Sequence, residues 1–189
     1  MNKLAQLRDI IASLDETLVR ALCNRACFKL NAQLYRQTQS DLTISDIANL
    51  FGSAATIAGR THIIRPVYFS SVLASLCDPG TDDDCRKCIA ADSSCMNALV
   101  QRLNLSVHVA ALKKEEIPEA LRTPIELGDP LLLEQAITNQ AVENEVIKRT
   151  LEMAREQLGS DDLQHKVGRL YAEWLIPISR KIQVHDLLL

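Results

Sequence analysis

The sequence predicts an all-α fold, a bundle of long helices, and three observations carry that prediction. Apolar residues recur three and four apart at Leu4, Leu7, Ile11, Leu14, Leu18 and Leu22, the period of a helix with one buried stripe. No alternating apolar–polar run is longer than a few residues, so a strand pattern is absent. Six glycines and six prolines in 189 residues are too few for a turn-rich β fold. That length suits a single domain, residues 1–189, with one sizeable core. Hydrophobic residues make up 47% and aromatics only 4%, so the core is expected to be mainly aliphatic.

The elements follow in order. The opening stripe reads as one helix over residues 3–35. Ser45 and Asp46 cap a second helix to about Gly59, with Ile47, Leu50, Phe51 and Ala54 on its inner face. Pro66 interrupts a third apolar segment that extends to about Leu76. The run DPGTDDD reads as a turn or loop. Asp92-Ser93-Ser94 opens a helix to about Lys114. Gly128-Asp129-Pro130 is a start signal, with Asp129 as N-cap and Pro130 at the first helical position. Another helix runs from near Asn139 to Leu158 and stops at Gly159; the last begins near Asp161 and continues to the end. Pro177 lies inside it and bends it, because its missing N–H frees one carbonyl. Helices of this length do not suit a globin-like ball.

Composition excludes several classes. No run of about 18 apolar residues exists, so no membrane-spanning helix is expected. The N-terminal MNKLAQLRDIIASLDE carries charges inside its apolar pattern and lacks the h-region of a signal peptide. A cytoplasmic placement follows as the expectation. A net charge of −3 argues against a general nucleic-acid surface, though not against a local cationic pocket. Cys23 and Cys27 suit packing as small hydrophobes. Cys77, Cys85, Cys88 and Cys95 cluster around DPGTDDDCRKC. Free thiols are the favoured reading in a reduced cytosol, with zinc or disulfide open as alternatives, since the Cys-x-x-Cys pair has ligand spacing.

Three pairs put polar groups on one helix face. Arg102 and Lys113 are eleven residues apart, with His108 the only other titratable group between them. At about 100° and 1.5 Å per residue they return to nearly one face, roughly 16 Å apart. Their long side chains could therefore clamp a small anion. Asn139 and Glu143 are four apart at a helix start; Ser179 and Gln183 are four apart after Pro177. Each has an ordinary reading as well. Asn139 could cap its helix, Glu143 could complement the dipole, and Ser179 could bond back to a carbonyl near the proline. Arg8, on the flank of the first stripe, is unremarkable alone. His62, His108, His165 and His185 form no catalytic pattern, and GxSxG, HExxH and a glycine-rich phosphate loop are all absent. An enzyme built from this chain would work by binding and electrostatics, without a covalent nucleophile.

The C-terminal run GRLYAEWLIPISRKIQVHDLL closely resembles the last helix of the all-helical chorismate mutases of the fungal and plant type. ITNQAVENEVIKR resembles their segment with an Asn-x-x-x-Glu pair, and Arg102 and Lys113 match their arginine and lysine eleven apart. LRDIIASLDETLVRALCNRACFKLNAQLY is similar to their first helix, including its arginine. The resemblance covers about residues 4–35 and 92–189; residues 37–91 form a variable middle without it.

What the resemblance implies is a mutase domain that turns chorismate into prephenate, acts as a homodimer, and uses no cofactor and no active-site metal. It implies that Arg8 and Arg102 bind the two substrate carboxylates. Lys113 and Gln183 would donate to the ether oxygen, Glu143 and Asn139 would hold the ring hydroxyl, and Ser179 would assist a carboxylate. The fungal-type enzymes carry glutamate where this chain has Gln183. An amide donates without being protonated, so activity is expected to be level from about pH 5 to 8. The chain is also shorter in the middle than the regulated enzymes, so feedback by tyrosine or tryptophan is not expected. Leu105 and Ala110 are expected to pack between the two cations. Two other classes stay open: a helical binding protein without turnover, and an interaction module built on the cysteine cluster.

Overall fold

A computed structural model describes residues 3–35, 41–158 and 160–189, and among them every regular element is helical. Helix α1 (Lys3–Ala26) lies along α5 (Cys85–Glu116) and α8 (Gln140–Leu158). Three short helices, α2 (Ile44–Ser53), α3 (Ile57–Val67) and α4 (Leu73–Leu76), connect α1 to α5, and two more, α6 (Pro118–Leu127) and α7 (Pro130–Ile137), connect α5 to α8. The chain ends in α9 (Asp161–Leu170), a π-helical turn at Tyr171–Leu175, and α10 (Ile176–Leu188). Helix α10 packs on α2, α5 and α7.

One aliphatic core joins these layers through Leu18, Leu22, Leu99, Leu103, Ile178 and Ile182, all fully buried. Each such side chain contributes about 1.5–3 kcal/mol relative to exposure. Three of the seven aromatics, Phe51, Tyr68 and Tyr171, are fully buried as well. A smaller cluster of Ala110, Leu121, Leu133, Val184 and Leu187 pins α6 and α7 against the ends of α5 and α10. Among the described residues no helix is long and apolar enough to cross a membrane.

Several boundaries differ from the sequence expectation, each for a physical reason. Helix α1 ends at Ala26, nine residues early. The buried Arg25 guanidinium turns into the chain end and donates to the carbonyls of Phe28, Lys29 and Leu30, while Asn31 adopts φ 54. Asparagine is among the residues that tolerate that left-handed region. Helix α2 is capped by Thr43 and not Ser45, in a reciprocal box in which Asp46 N–H donates to Thr43 Oγ1 and Thr43 N–H donates to Asp46 Oδ2. It ends at Ser53, and a second cap, Thr56, starts α3. Pro66 does not interrupt α3; the chain continues through a π turn at Tyr68–Val72 into α4.

Helix α5 begins at Cys85 under an Asp84 cap, so Asp92 is not a cap but a buried residue of the helix interior, ion-paired at 2.5 Å with Arg25 Nε. A tertiary partner converted an apparent cap into a core residue. Helix α6 had no counterpart in the sequence reading, because Pro118 and Pro124 both fall within it. Gly128, at φ 61, ends it. Helix α7 starts as expected, with Asp129 accepting from the N–H groups of Leu131 and Leu132. The expected stop at Gly159 lies outside the described residues. Pro177 does more than bend the last rod: just before it, Ile176 N–H donates to Tyr171 O in the π turn. That turn absorbs one extra residue, so Tyr171 and Ser179, about 80° apart in an uninterrupted helix, come to within about 20°.

Candidate active site

A cavity of about 460 Å³ opens between α1, α5, α8, α10 and the end of α7. Arg8, Arg102, Lys113, Asn139, Glu143, Ser179 and Gln183, the seven residues singled out in sequence, all line it. Four helices supply them, so the grouping is a product of the bundle and not of local sequence.

Arg102 is 6% exposed, and its Nε donates to Asp15 Oδ1 at 2.7 Å. Asp15 is fully buried on α1 and also accepts from Arg149 Nη2 at 3.2 Å and Tyr171 OH at 3.3 Å. One carboxylate thus fixes two guanidinium groups, using Nε of Arg102 and not its terminal amino groups. Ser179 Oγ pairs with Ser106 Oγ at 2.7 Å, across α10 and α5, instead of bonding back to a carbonyl near Pro177.

Lys113 Nζ donates to Ile137 O at 2.6 Å and to Gln183 Oε1 at 3.0 Å. Burial pushes its pKa down to about 8, with Arg8 and Arg180 acting the same way and Glu143 opposing. Gln183 Nε2 donates to Ser179 O at 3.1 Å, within its own helix. Asn139 does cap α8, its Oδ1 accepting from Val142 N–H at 3.2 Å, and it still faces the cavity. Glu143 lies 3.7 Å from Arg180 Nε, and Arg180 Nη1 donates to Thr138 Oγ1 at 3.4 Å. Arg8 is exposed and reaches the cavity from α1. Val109, rather than Leu105 or Ala110, supplies the apolar wall between the two cations; Ala110 belongs to the smaller core cluster.

Sequence reasoning missed Asp15, Arg149, Arg180, Ser106 and Tyr171. Asp15 left a signal: it sits four residues after Ile11 and three before Leu18, on the apolar stripe itself. A carboxylate there needs a buried partner. Arg149 and Arg180 left none, since each reads as an ordinary cation on a helix surface.

The arrangement has the chemistry to hold an anion. Cations from α1, α5, α8 and α10 line the space together with the carboxylates of Glu143 and Glu145, the polar Asn139, Ser179 and Gln183, and apolar walls such as Ile11, Val109 and Ile176. Among the described residues no group of three or more His, Cys, Asp or Glu is disposed to hold a metal ion.

Comparison with known proteins gives this chain a family. The chain is 31% identical over 137 residues to chloroplastic chorismate mutase 3 of Arabidopsis thaliana, an alignment spanning 65% of this chain and 43% of that protein. It is 27% identical over 152 residues to cytosolic chorismate mutase 2 of Zea mays, spanning 73% of this chain and 59% of that protein. The chain therefore spans about half the length of these curated relatives. In fold it is similar to the crystal structure of the chloroplast chorismate mutase from Zea mays, with a TM-score of 0.79 at 20% identity, covering 98% of this chain and 94% of the other. The family model for chorismate mutase type II matches residues 85–184, from the first turn of α5 to the middle of α10. That match takes in more than half of the chain, and this protein belongs to the chorismate mutase type II family.

Proposed function

We propose that the cavity converts chorismate to prephenate. The observation that carries this is the convergence of Arg102, Lys113, Glu143 and Gln183, from three helices, on one space of about 460 Å³. The reaction is a unimolecular [3,3] rearrangement: the ether C–O bond breaks while a C–C bond forms, and no proton is transferred. It needs the substrate held folded and the charge growing on its ether oxygen met by donors.

Arg8 and Arg102 grip the two carboxylates, where a guanidinium fork suits a carboxylate. Fixing both ends enforces the folded shape and removes the entropic part of the barrier. Asp15 holds Arg102 in place beforehand, at 2.7 Å, so little reorganisation is left for the reaction. Ser179, bound to Ser106, assists a carboxylate. Glu143 and Asn139 hold the ring hydroxyl.

Lys113 and Gln183 donate to the ether oxygen. Lys113 donates to Gln183 Oε1 and Gln183 Nε2 donates to Ser179 O. Binding therefore requires the ether oxygen to enter between them and the Gln183 amide to present its Nε2. As the C–O bond stretches, both donors stabilise the developing charge more than they stabilise bound substrate, which is the condition for catalysis. The barrier is lowered by fixed charge alone, without a protein nucleophile.

A homodimer is part of this reading, supported by the family resemblance, and light scattering on the purified chain tests it. Cytoplasmic placement is supported by the cytosolic maize relative; fractionation tests it. Insensitivity to tyrosine and tryptophan is tested by titrating both into the assay. The reading as a whole is tested by incubating the chain with chorismate and following products by NMR. Enzymatic accumulation of prephenate supports it. Binding of chorismate without conversion leaves a scaffold protein instead.

A further inference from the structure

The six cysteines lie away from the cavity lining and are all free thiols. Cys85 is the first residue of α5 and Cys88 the fourth, so the Cys-x-x-Cys pair occupies the first turn of a 32-residue helix, with Arg86 and Lys87 between. Cys85 is half-buried and Cys88 fully buried. The side-chain amide of Asn31 touches both. Its Nδ2 donates to Cys88 Sγ at 3.3 Å, and its Oδ1 lies 3.8 Å from Cys85 Sγ. Asp82 locks that amide from both ends, its N–H donating to Asn31 Oδ1 and its Oδ2 accepting from Asn31 Nδ2, each at 2.8 Å.

The other cysteines lack this setting. Burial pushes the thiols of Cys23 and Cys77 up to about 11 and that of Cys95 up to about 12, which suppresses the nucleophilic thiolate. Cys27 is exposed and its thiol donates to Cys23 O, much as Cys85 Sγ donates to Asp82 O at 3.6 Å, but Cys27 lies at the end of α1 and not on a first turn.

Closure at this turn disturbs less of the helix than it would in the interior. Residues three apart on a helix have Cβ atoms about 5–6 Å apart, whereas a disulfide needs about 3.5–4.5 Å. In a helix interior that shift breaks hydrogen bonds. At the helix start the N–H groups of residues 85 to 87 have no intrahelical partner, and only that of Cys88 has one to lose, the carbonyl of the Asp84 cap.

We propose that Cys85 and Cys88 form a reversible redox site that closes to a disulfide by exchange with low-molecular-weight disulfides of the glutathione type. Cys85, the more accessible thiol, attacks one sulfur of the external disulfide as its thiolate and releases one small thiol. Cys88 then attacks Cys85 Sγ in the mixed disulfide and releases the second. Two protein thiols give up two protons and two electrons; the external disulfide accepts both and leaves as two thiols. The reverse exchange with excess small thiol reopens the pair.

The test equilibrates the full chain in glutathione buffers from reducing to oxidising, quenches in acid, alkylates, and maps the product by mass. Expected is a mass lower by two hydrogens at the oxidising end, with the bond inside the peptide holding both Cys85 and Cys88, and full reversal by excess reduced glutathione. Cys27→Ser retains it and Cys85→Ser abolishes it. Because Cys85 is half-exposed and the wild-type map needs no variant, a folding defect in Cys88→Ser does not decide the matter. Six alkylated thiols under oxidising conditions, a bond between other cysteines, or a stable glutathione adduct on wild-type Cys85 would overturn the proposal.

Discussion

Lys113 Nζ donates to Gln183 Oε1 at 3.0 Å, joining α5 to α10 across 70 residues of sequence. The pair sets a cation beside a neutral donor, and that choice of donor fixes the first prediction.

Gln183→Glu puts a carboxylate against Lys113. The cation favours its ionised form, and an ionised carboxylate accepts hydrogen bonds but cannot donate one. The variant is expected to lose on the order of 10²–10³ in kcat/KM near neutral pH, and to recover as acid protonates the new side chain. Wild type keeps its amide donor through the same range. Parallel kcat/KM profiles check this; a wild-type profile falling steeply above about pH 6 contradicts it.

Lys113 sets the alkaline limit. Burial holds its pKa down to about 8, and in the proposed mechanism the charged form is the one that meets the ether oxygen. The charge is therefore present below that value and lost as pH rises through it. The kcat/KM profile, which reports the free enzyme, should be level at neutral pH and fall about tenfold per unit on the alkaline side. The limb in kcat should lie higher, because a bound dianion favours the ammonium.

Asp15→Asn removes the charge that tethers Arg102 and Arg149. Leaving a buried guanidinium unpaired costs about 3–5 kcal/mol of stability. The loosened fork should cost about 10² in kcat/KM, the scale of a small misplacement of a positioning group. Chemical denaturation and steady-state kinetics on one preparation read both. A variant that loses stability but keeps full kcat/KM would show that Asp15 holds the fold and not the fork.

Asp92→Asn supplies the contrast. The Arg25–Asp92 pair is equally buried, also accepts from Tyr68 OH at 2.8 Å, and lies away from the cavity. A comparable destabilisation of about 3–5 kcal/mol is expected, with kcat/KM unchanged at a temperature where the variant is folded.

Much of the fold was legible because the long helices declare themselves through an aliphatic stripe that needs no tertiary information. The start of α7 was legible for the same reason, since Asp129 and Pro130 act locally. What stayed hidden depends on distant partners. Nothing near Arg25 announces that its guanidinium ends α1, or that Asp92, sixty-seven residues on, becomes its buried counter-ion. Six of the seven site positions could be singled out because residues four or eleven apart return to nearly one helix face, while Arg8 came forward only through the family resemblance. Arg149 and Arg180 could not, because only the packing of α8 and α10 turns those surface cations inward. The π turn at Tyr171–Leu175 was invisible for a subtler reason: Pro177 signals a missing donor, not which residue the helix will absorb in response.

The most direct measurement of the central claim is the rate of prephenate formation by wild type, Arg102→Ala and Lys113→Ala, each shown to be folded. The account predicts enzymatic turnover by wild type, and losses on the order of 10²–10³ in kcat/KM for each variant. Wild type with no activity above the spontaneous rearrangement, or variants that turn over chorismate as fast as wild type, would contradict it.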